Sequence, residues 1–412
     1  MTADVLVVGG GPAGSAVAIR LARAGHAVTL IEKRPTPRHK ACGDALTPRA
    51  VGELDQLGVD PVELGGHRTI GVRLRYDDRQ QQVRWPEHPH FPSTGAALRR
   101  PVLDEHLRDL ARQSGVQVLM GHEATAPVAE RGLVRGARTV TEDGATRNVL
   151  ARFVVVADGA NSRFGRALGT TRDRNWPYGI AARTYLASPL ASQPWIESVL
   201  RPRDADGRRV SGFGWITPVG DGTVNVGTAM LSTYRDVRSV NALKWLDHFA
   251  QHSAERWQFD ASQQLKSPTR FRVPLGSSVG PKMGPTFLVV GDAAGAANPF
   301  NGDGVDAALL TARLASDVLD DALTSGTAAS LQQYPTLLAD ELGRYHQVGR
   351  LSARFLGSPT IAGMVLAGAM RSPDAMAGVL RIGANELRRK RTGGAERAYA
   401  LAAAASRLAP RW

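Results

Sequence analysis

The sequence has little cysteine, little lysine and no long apolar run, and each shortage excludes a class of protein. Its single cysteine, Cys42, rules out an internal disulfide and is typical of proteins in a reducing compartment. The longest uncharged apolar stretch, residues 360–370, is far shorter than the ~20 residues that a membrane span requires. The first residues show no basic-then-apolar leader. We therefore expect a cytoplasmic protein that touches a membrane at most peripherally.

Positive charge is in excess, because 51 basic residues stand against 38 acidic ones and give a net charge of +13. Only six of the basic residues are lysines, and the arginines are spread along the whole chain. This spread does not predict nucleic-acid binding, which needs a basic patch or stripe. No metal site is predicted either, since His248 and His252 lack the glutamate of a zinc-binding helix. The one dense basic run, residues 388–391, is either a solvated face or a contact for anionic lipid.

The order of the apolar runs predicts an α/β fold. Residues 4–8, 12–24 and 27–31 follow a strand, helix, strand pattern, which indicates a doubly wound, Rossmann-like parallel sheet. Residues 69–85 and 178–231 alternate apolar and polar side chains, as antiparallel strands do, and the last part of the chain is rich in Ala and Leu. The predicted units are a dinucleotide-binding domain (1–66, 98–172 and 284–330), an inserted antiparallel-sheet substrate domain (67–97 and 173–283) and a C-terminal helical region (331–412).

A glycine-rich segment, Gly9-Gly10-Gly11-Pro12-Ala13-Gly14, follows the first predicted strand. Three of its glycines stand at the G-x-G-x-x-G positions, which permit a tight turn, close approach of a pyrophosphate and close packing of helix on sheet. Glu32 ends the second predicted strand, where a carboxylate can accept hydrogen bonds from both ribose hydroxyls. Because strand, turn, helix and acidic residue come in this order, the segment predicts a dinucleotide site.

Two later strands also end in a turn that carries an aspartate. The first turn is Asp158-Gly159 and the second is Gly291-Asp292. Both carboxylates would lie at the C-terminal edge of a parallel sheet, where ligands bind in open α/β folds. Gly302 and Gly304 leave room for a flat ring system at the start of the next helix. Each turn alone could be structural, but together with the first segment they predict one large ligand.

In this order the three motifs resemble those of the FAD-dependent oxidoreductases that include p-hydroxybenzoate hydroxylase, flavin halogenases and geranylgeranyl reductases. The resemblance spans residues 4 to about 325. It implies one bound FAD, with Arg100 opening a helix beside the diphosphate. Only one complete dinucleotide fingerprint is present, so we expect an external electron donor, either NAD(P)H or a ferredoxin-like carrier. The motifs and the resemblance together predict FAD contacts from Gly9, Gly11, Pro12, Ala13, Gly14, Glu32, Lys33, Arg34, Cys42, Gly43, Asp44, Arg100, Ala124, Asp158, Gly159, Gly291, Asp292, Pro299, Gly302, Asp303, Gly304 and Val305.

Two segments are most similar to the geranylgeranyl reductase family, and within it to actinobacterial menaquinone reductases, which saturate one isoprene unit of a quinone tail. Residues 40–50 resemble the family's cysteine-glycine segment, and residues 213–218 resemble its Y-x-W-x-F-P stretch. The resemblance implies that Cys42 lies near the isoalloxazine ring and that Phe213 and Trp215 line the substrate cavity. Phe213 stands where the family has a tyrosine, so that phenolic proton donor is absent.

These observations favour reduction of a carbon–carbon double bond in an isoprenoid, with Cys42 as the candidate acid or proton relay. A purely packing role for Cys42 is the alternative. Lys40 and a helix N-terminus would lower the thiol pKa, whereas an apolar pocket would raise it. Oxygenation of a terpenoid or aromatic compound would use the same fold with a different pocket. Halogenation is disfavoured, because the expected W-x-W-x-I-P stretch has a single Trp and no lysine lies between residues 40 and 244. Residues 351–370 form either a helical lid or a contact for the membrane surface.

Overall fold

The computed structural model describes residues 3–36, 42–388 and 393–408. The strands, in chain order, are Ala3–Val8 (β1), Val28–Glu32 (β2), Ala45–Leu46 (β3), His67–Thr69 (β4), Gly71–Tyr76 (β5), Arg79–Arg84 (β6), Gly95–Ala97 (β7), Gln117–Met120 (β8), Glu123–Glu130 (β9), Leu133–Val140 (β10), Thr146–Val156 (β11), Thr171–Arg172 (β12), Tyr178–Ala187 (β13), Trp195–Leu200 (β14), Gly212–Pro218 (β15), Thr223–Leu231 (β16), Thr269–Pro274 (β17), Val279–Gly280 (β18), Met283–Gly284 (β19) and Phe287–Val289 (β20). The α-helices are Pro12–Arg23 (α1), Pro48–Asp55 (α2), Arg100–Gln113 (α3), Arg163–Ala167 (α4), Ala242–Trp257 (α5), Val305–Ser325 (α6), Tyr334–Leu338 (α7), Arg344–Leu356 (α8), Pro359–Ala369 (α9), Pro373–Gly383 (α10) and Gly394–Leu408 (α11).

The predicted parallel sheet is present, with the strand order β20-β11-β1-β2-β8, and β19 pairs antiparallel with β20 at one edge. Strand β1 pairs in parallel with both β2 and β11, so that Val8 has Ile31 and Val156 as register partners. Helices α1, α3 and α6 pack on one face, and β10 and α4 pack on the other. The central strands are therefore apolar on both sides, and they end together at one edge of the sheet.

The predicted antiparallel sheet has the order β17-β13-β16-β15-β14-β5-β6, and all of its neighbouring strands are antiparallel except β14 and β5, which pair in parallel. Its side chains alternate between two environments, as the period of two in a strand requires. Ile216 and Val226 pack against Leu246 and Phe249 of α5, which covers one face. The alternate residues of β15, including Trp215, face a cavity on the other side of the sheet.

The helices after residue 338 close this cavity. Met370 and Met376, at the end of α9 and within α10, pack against Val72 and Leu74 of β5. Helices α8, α9 and α10 also contribute side chains directly to the cavity wall. Among the described residues, no helix combines the length and the apolar character needed to cross a membrane.

The structure confirms the predicted fold class and differs from the sequence interpretation in local elements. Strand β11 is long because its first half pairs with β10 outside the parallel sheet, and only its second half lies between β1 and β20. The β9–β10 hairpin was not predicted, since its residues are only partly buried and show no clear apolar alternation. A small sheet, β3-β7-β4, joins strands from ranges assigned to two different domains. The domain boundaries themselves stay a prediction.

Candidate active site

The glycine-rich turn between β1 and α1 is shaped by close backbone contacts. A Cβ atom on Gly9, whose φ is +110°, would lie 2.4 Å from the carbonyl oxygen of Ala157. On Gly14 it would lie 1.9 Å from the Gly9 carbonyl oxygen. Only glycine fits at these two positions. A Cβ on Gly11 would instead meet nothing within 4 Å. The space in front of the α1 N-terminus is thus open, where unpaired amides and the helix dipole favour an anion.

Glu32 lies at the end of β2, directly beside this turn. Its Oε2 accepts a hydrogen bond from the Gly10 amide at 2.9 Å, and its Oε1 accepts one from the Arg34 amide at 3.0 Å. Arg108 donates to the Gly10 carbonyl at 3.1 Å and holds the turn from the other side. Each carboxylate oxygen can accept a second hydrogen bond, so Glu32 is oriented and still able to bind a hydroxyl.

The other two strand ends bring their aspartates to the same edge. The Asp158 carboxylate accepts from the Phe164 amide at 2.9 Å and caps α4, and burial raises the pKa of this carboxyl group. Beyond β20, Gly291 adopts a φ of +59° and donates its amide to Thr311 at 2.9 Å. A Cβ on Gly304 would lie 3.0 Å from Asp292 Oδ1, so glycine lets the aspartate approach the start of α6.

A cavity of about 660 Å³ extends from these strand ends into the antiparallel sheet. The residues that line its first part are Gly11, Pro12, Ala13, Cys42, Gly43, Arg100, Gly159, Asp292, Pro299, Gly302, Asp303, Gly304 and Val305. Its second part is mostly apolar and is lined by Phe213, Trp215 and side chains of α8, α9 and α10. Polar backbone at one end and hydrocarbon at the other suit a cofactor beside an apolar substrate.

Trp215 stands at the junction of the two parts. Its indole lies over Gly43, where a Cβ would be 3.3 Å from the ring nitrogen, and against Gly227, where a Cβ would be only 2.0 Å from the ring. The two glycines therefore make the space that the indole fills. The ring of Phe213 is 6.0 Å from that of Trp215, and both rings face the cavity.

A buried polar network lies behind Cys42 and Trp215. The carboxylate of Asp44 accepts hydrogen bonds from the Tyr185 hydroxyl and from Asn225 Nδ2, the second at 2.8 Å. Asn225 also donates to the Cys42 carbonyl at 2.8 Å, and its oxygen accepts from the Trp215 indole at 3.0 Å. All of these side chains except Cys42 are at least nine-tenths buried.

The Cys42 thiol is held in its protonated form by its surroundings. Its sulfur accepts a hydrogen bond from the Asp44 amide at 3.4 Å. Burial raises the pKa of the thiol above its ordinary value, and this effect outweighs the nearby Arg100 guanidinium, which lowers it. Arg100 is committed to Asp104 in a buried bidentate ion pair, with N–O distances of 2.8 to 3.0 Å. Of the two opposing effects on the thiol pKa that the sequence suggests, the apolar surroundings are the stronger. Lys40, the predicted source of the opposite effect, lies outside the described residues.

Comparison with known proteins decides the family. The profile of the FAD binding domain family matches residues 2–337. The chain belongs to this family. It is 37% identical to the menaquinone reductase of Mycolicibacterium smegmatis, covering 93% of this chain and 91% of that protein. It is 39% identical to the menaquinone reductase of Mycobacterium tuberculosis, covering 87% and 85%. A geranylgeranyl bacteriochlorophyll reductase-like protein from Thermoplasma acidophilum has the same fold, with a TM-score of 0.76, 24% identity, and 97% and 95% of the two chains covered.

As an FAD-dependent oxidoreductase, the protein needs a diphosphate site and a ring site, and the strand ends provide both. The open space at Gly11 fits a diphosphate at the α1 N-terminus, and Glu32 fits a ribose. Gly302 has a φ of +76° and no atom within 4 Å of a Cβ position, which leaves room for the ring system. The residues present therefore fit FAD.

The structure places the other predicted contacts in different ways. Lys33 and Arg34 are exposed just after β2, and Ala124 packs in β9 beside the cluster that contains Ile31. Asp44 does not line the cavity, because its carboxylate is bonded to Tyr185 and Asn225. Tyr185 was not predicted at all. Its hydrogen-bond partner, Asp44, is 141 positions away in the sequence, and only the fold brings the two residues together.

Proposed function

We propose that this protein reduces a carbon–carbon double bond of an isoprenoid chain with reduced FAD. The mycobacterial relatives are menaquinone reductases, and a quinone tail is such a chain. The observation that carries the proposal is that one continuous cavity runs from the strand ends that fit FAD, past Trp215, to an apolar wall. A long hydrocarbon can reach the cofactor only through a passage of this kind.

The bound FAD supplies the hydride equivalent. An isolated double bond is electron-rich, so a proton has to arrive with the hydride, and water has to be kept out. Cys42 is the proposed acid: its thiol lies at the junction of the two parts of the cavity and stays protonated at neutral pH because burial raises its pKa. Phe213 and Trp215 are proposed to hold the chain flat against the reacting position.

The source of electrons stays a prediction, with NAD(P)H and a ferredoxin-like carrier as the alternatives. The experiment that tests the proposed function bypasses this question. FAD-loaded protein is reduced with dithionite without oxygen and incubated with a prenylated naphthoquinone, and the product is re-oxidised to the quinone before mass spectrometry. Because dithionite also reduces the naphthoquinone ring to its quinol, only the mass of the re-oxidised product reports on the prenyl side chain. We expect a gain of two hydrogen atoms. A gain of one oxygen atom that requires air would support the oxygenase alternative instead, and no product in either arm would contradict both.

We also propose that the protein docks peripherally on a membrane through α9. Phe355, Met364 and Val365 are exposed by 54%, 65% and 52%, and α9 contains no charged residue. Val365 lines the cavity as well, so the apolar surface continues into the passage. Two exposed arginines, Arg354 and Arg371, flank the helix, and each could contribute about 1 kcal/mol on anionic lipid.

The basic run predicted for this role begins elsewhere in the fold. Arg388 donates two hydrogen bonds to the Glu87 carbonyl at 3.0 and 2.6 Å. It comes after the C-terminal end of α10, whereas α9 comes before the N-terminal end of α10. Residues 389–391 lie outside the described residues. The proposed docking is tested by co-sedimentation with anionic liposomes, using F355E/M364E against V102E, another exposed apolar position. We expect loss of binding in the first variant only.

A further inference from the structure

Arg201 is a buried arginine that faces the cavity. The residue is 7% exposed and lies among the residues that line the apolar part. Its backbone has a φ of +52°, a conformation rare for any residue other than glycine. The amide donates to the Gly212 carbonyl at 2.8 Å, which fixes the start of the side chain just beyond β14. The sequence pattern gave no sign that this arginine would be inside.

The guanidinium of Arg201 has no acidic partner. Among residues 3–36, 42–388 and 393–408, no carboxylate lies within ion-pair distance of it, and the one hydrogen bond it makes, to the Tyr76 hydroxyl, is long at 3.4 Å. The acidic residues of this region have arginines of their own, since Asp204 pairs with Arg208 and Asp77 with Arg209. A buried charge without a partner is costly, and a ligand that supplies the partner would offset this cost.

Two further features make this a site rather than an isolated side chain. The Ser211 hydroxyl also lines the cavity, is buried, and has no hydrogen-bond partner among the described residues, and the same holds for Arg201 Nε. Helix α9 also leaves space for the guanidinium through a glycine. A Cβ on Gly363 would lie 2.4 Å from Arg201 Nη1. Unsatisfied donors thus stand in a wall that is mostly apolar, a usual arrangement for fixing the orientation of an apolar ligand.

The register of the sheet gives the distance from this site to the reacting position. Leu200 pairs with Phe213, and Ser198 pairs with Trp215, so β14 and β15 run side by side along the cavity. Ser211 and Trp215 are four residues apart, which corresponds to roughly 13 Å along a strand. A group bound at Arg201 would therefore be held at a fixed separation from the Cys42–Trp215 junction.

We propose that Arg201, with Ser211 and Tyr76, binds the oxygen-bearing head group of a prenyl substrate and so selects which double bond reaches the cofactor. This inference rests on the proposed function. The planar guanidinium offers several N–H donors in one plane, which suits quinone carbonyl oxygens and phosphate oxygens alike. What the site requires is an acceptor oxygen at the end of an apolar chain, and the experiment separates the two sources.

The test is equilibrium binding to the oxidised FAD-loaded protein, followed by flavin fluorescence. The probes are a prenylated naphthoquinone, a prenyl diphosphate and squalene, which has no head group. We expect at least one of the first two to bind about tenfold or more tightly than squalene to the wild type. R201M should remove this preference, while R201K should keep part of it. R209M is the matched control, since Arg209 stacks on the same Tyr76 ring but pairs with Asp77.

Stability gives an independent readout. An arginine needed for packing would lower the melting temperature when it is replaced, whereas removal of an unpaired buried charge leaves it equal or higher. The inference is overturned if the wild type binds squalene as tightly as both other probes, or if R201M keeps the preference. Because binding needs no turnover, a failure of the proposed reduction would leave this result readable. Where turnover occurs, R201M should also reduce double bonds other than the one that the wild type selects.

Discussion

The side-chain amide of Asn225 joins the Cys42 carbonyl to the Asp44 carboxylate, donating to each at 2.8 Å, while its oxygen receives the Trp215 indole N–H. Both donors and the acceptor are used, so the amide has one orientation. The turn that carries the thiol and the aromatic ring of the substrate wall are thereby held as one unit. The glycine at position 43 allows the approach, because any side chain there would meet the indole.

We predict that N225D breaks this unit. The change replaces a donor with a second carboxylate beside Asp44, and two buried like charges repel. The expected result is a loss of about 3 kcal/mol of stability, measured by denaturant unfolding, and faster alkylation of Cys42. Since Cys42 is the only cysteine, labelling reports on this site alone. N148D, at an exposed position of β11, is the control and should behave like the wild type. An unchanged rate of Cys42 alkylation in N225D would show that the hydrogen bonds of Asn225 do not control access to the thiol.

The protonation of Cys42 can be measured directly. Because burial raises its pKa, the rate of iodoacetamide labelling should rise with pH at a midpoint above that of a free cysteine, about 8.5. C42A and C42S should keep FAD, since the protein contacts that define the diphosphate and ribose sites lie at Gly11 and Glu32. Both should lose at least about 90% of prenyl reduction if the thiol supplies the proton. Normal turnover in C42A would assign the cysteine to packing.

The two glycines at the start of α1 should respond differently to substitution. G11V adds a side chain to open space, so the protein should fold but lose FAD, as judged by its flavin absorbance and melting curve. G14V adds one against the Gly9 carbonyl, which would lie 1.9 Å from its Cβ, and should prevent folding of the first domain. A G11V protein with full flavin content would show that the diphosphate binds elsewhere.

Glu386 should make stability depend on pH. It is buried, its carboxyl oxygens have no hydrogen-bond partner among the described residues, and burial raises its pKa to about 8. The folded protein binds this proton more tightly than the unfolded chain, so stability is complete below pH ~4.5 and falls as the pH rises toward 8. E386Q, which stays neutral, should match the stability of the wild type at pH 4 and exceed it at pH 9, by up to about 4 kcal/mol. E63Q, at an exposed position, should show no such gain.

The parts of the site that follow strand ends could be predicted from sequence, because their chemistry is local. A strand, a glycine turn and a helix fix where Gly9, Gly14 and Glu32 must lie, and the structure has them there. The same logic applies to the turn that contains Asp292. Local order is sufficient in these cases because each residue acts within its own turn or at the end of its own strand.

The network and the cavity wall depend instead on contacts between distant segments. Asp44 meets Tyr185 across 141 positions, and Asn225 meets Cys42 across 183. No periodicity marks Arg201 as buried, since it follows an ordinary strand and begins an arginine-rich loop. The sequence pattern describes which face of one strand is apolar. It does not say which two sheets enclose a common space.

The wall formed by α8, α9 and α10 lies beyond residue 337, where the FAD binding domain match ends. The cofactor strand ends and this helical part of the cavity wall are therefore encoded in separate stretches of the gene, whereas Phe213 and Trp215 lie within the matched stretch. We expect exchange of the segment after residue 343 between relatives to alter which chains the cavity accommodates. We therefore expect variation in this C-terminal segment to change the substrate range of the protein, while Gly11 and Glu32, which define the diphosphate and ribose sites, lie outside it.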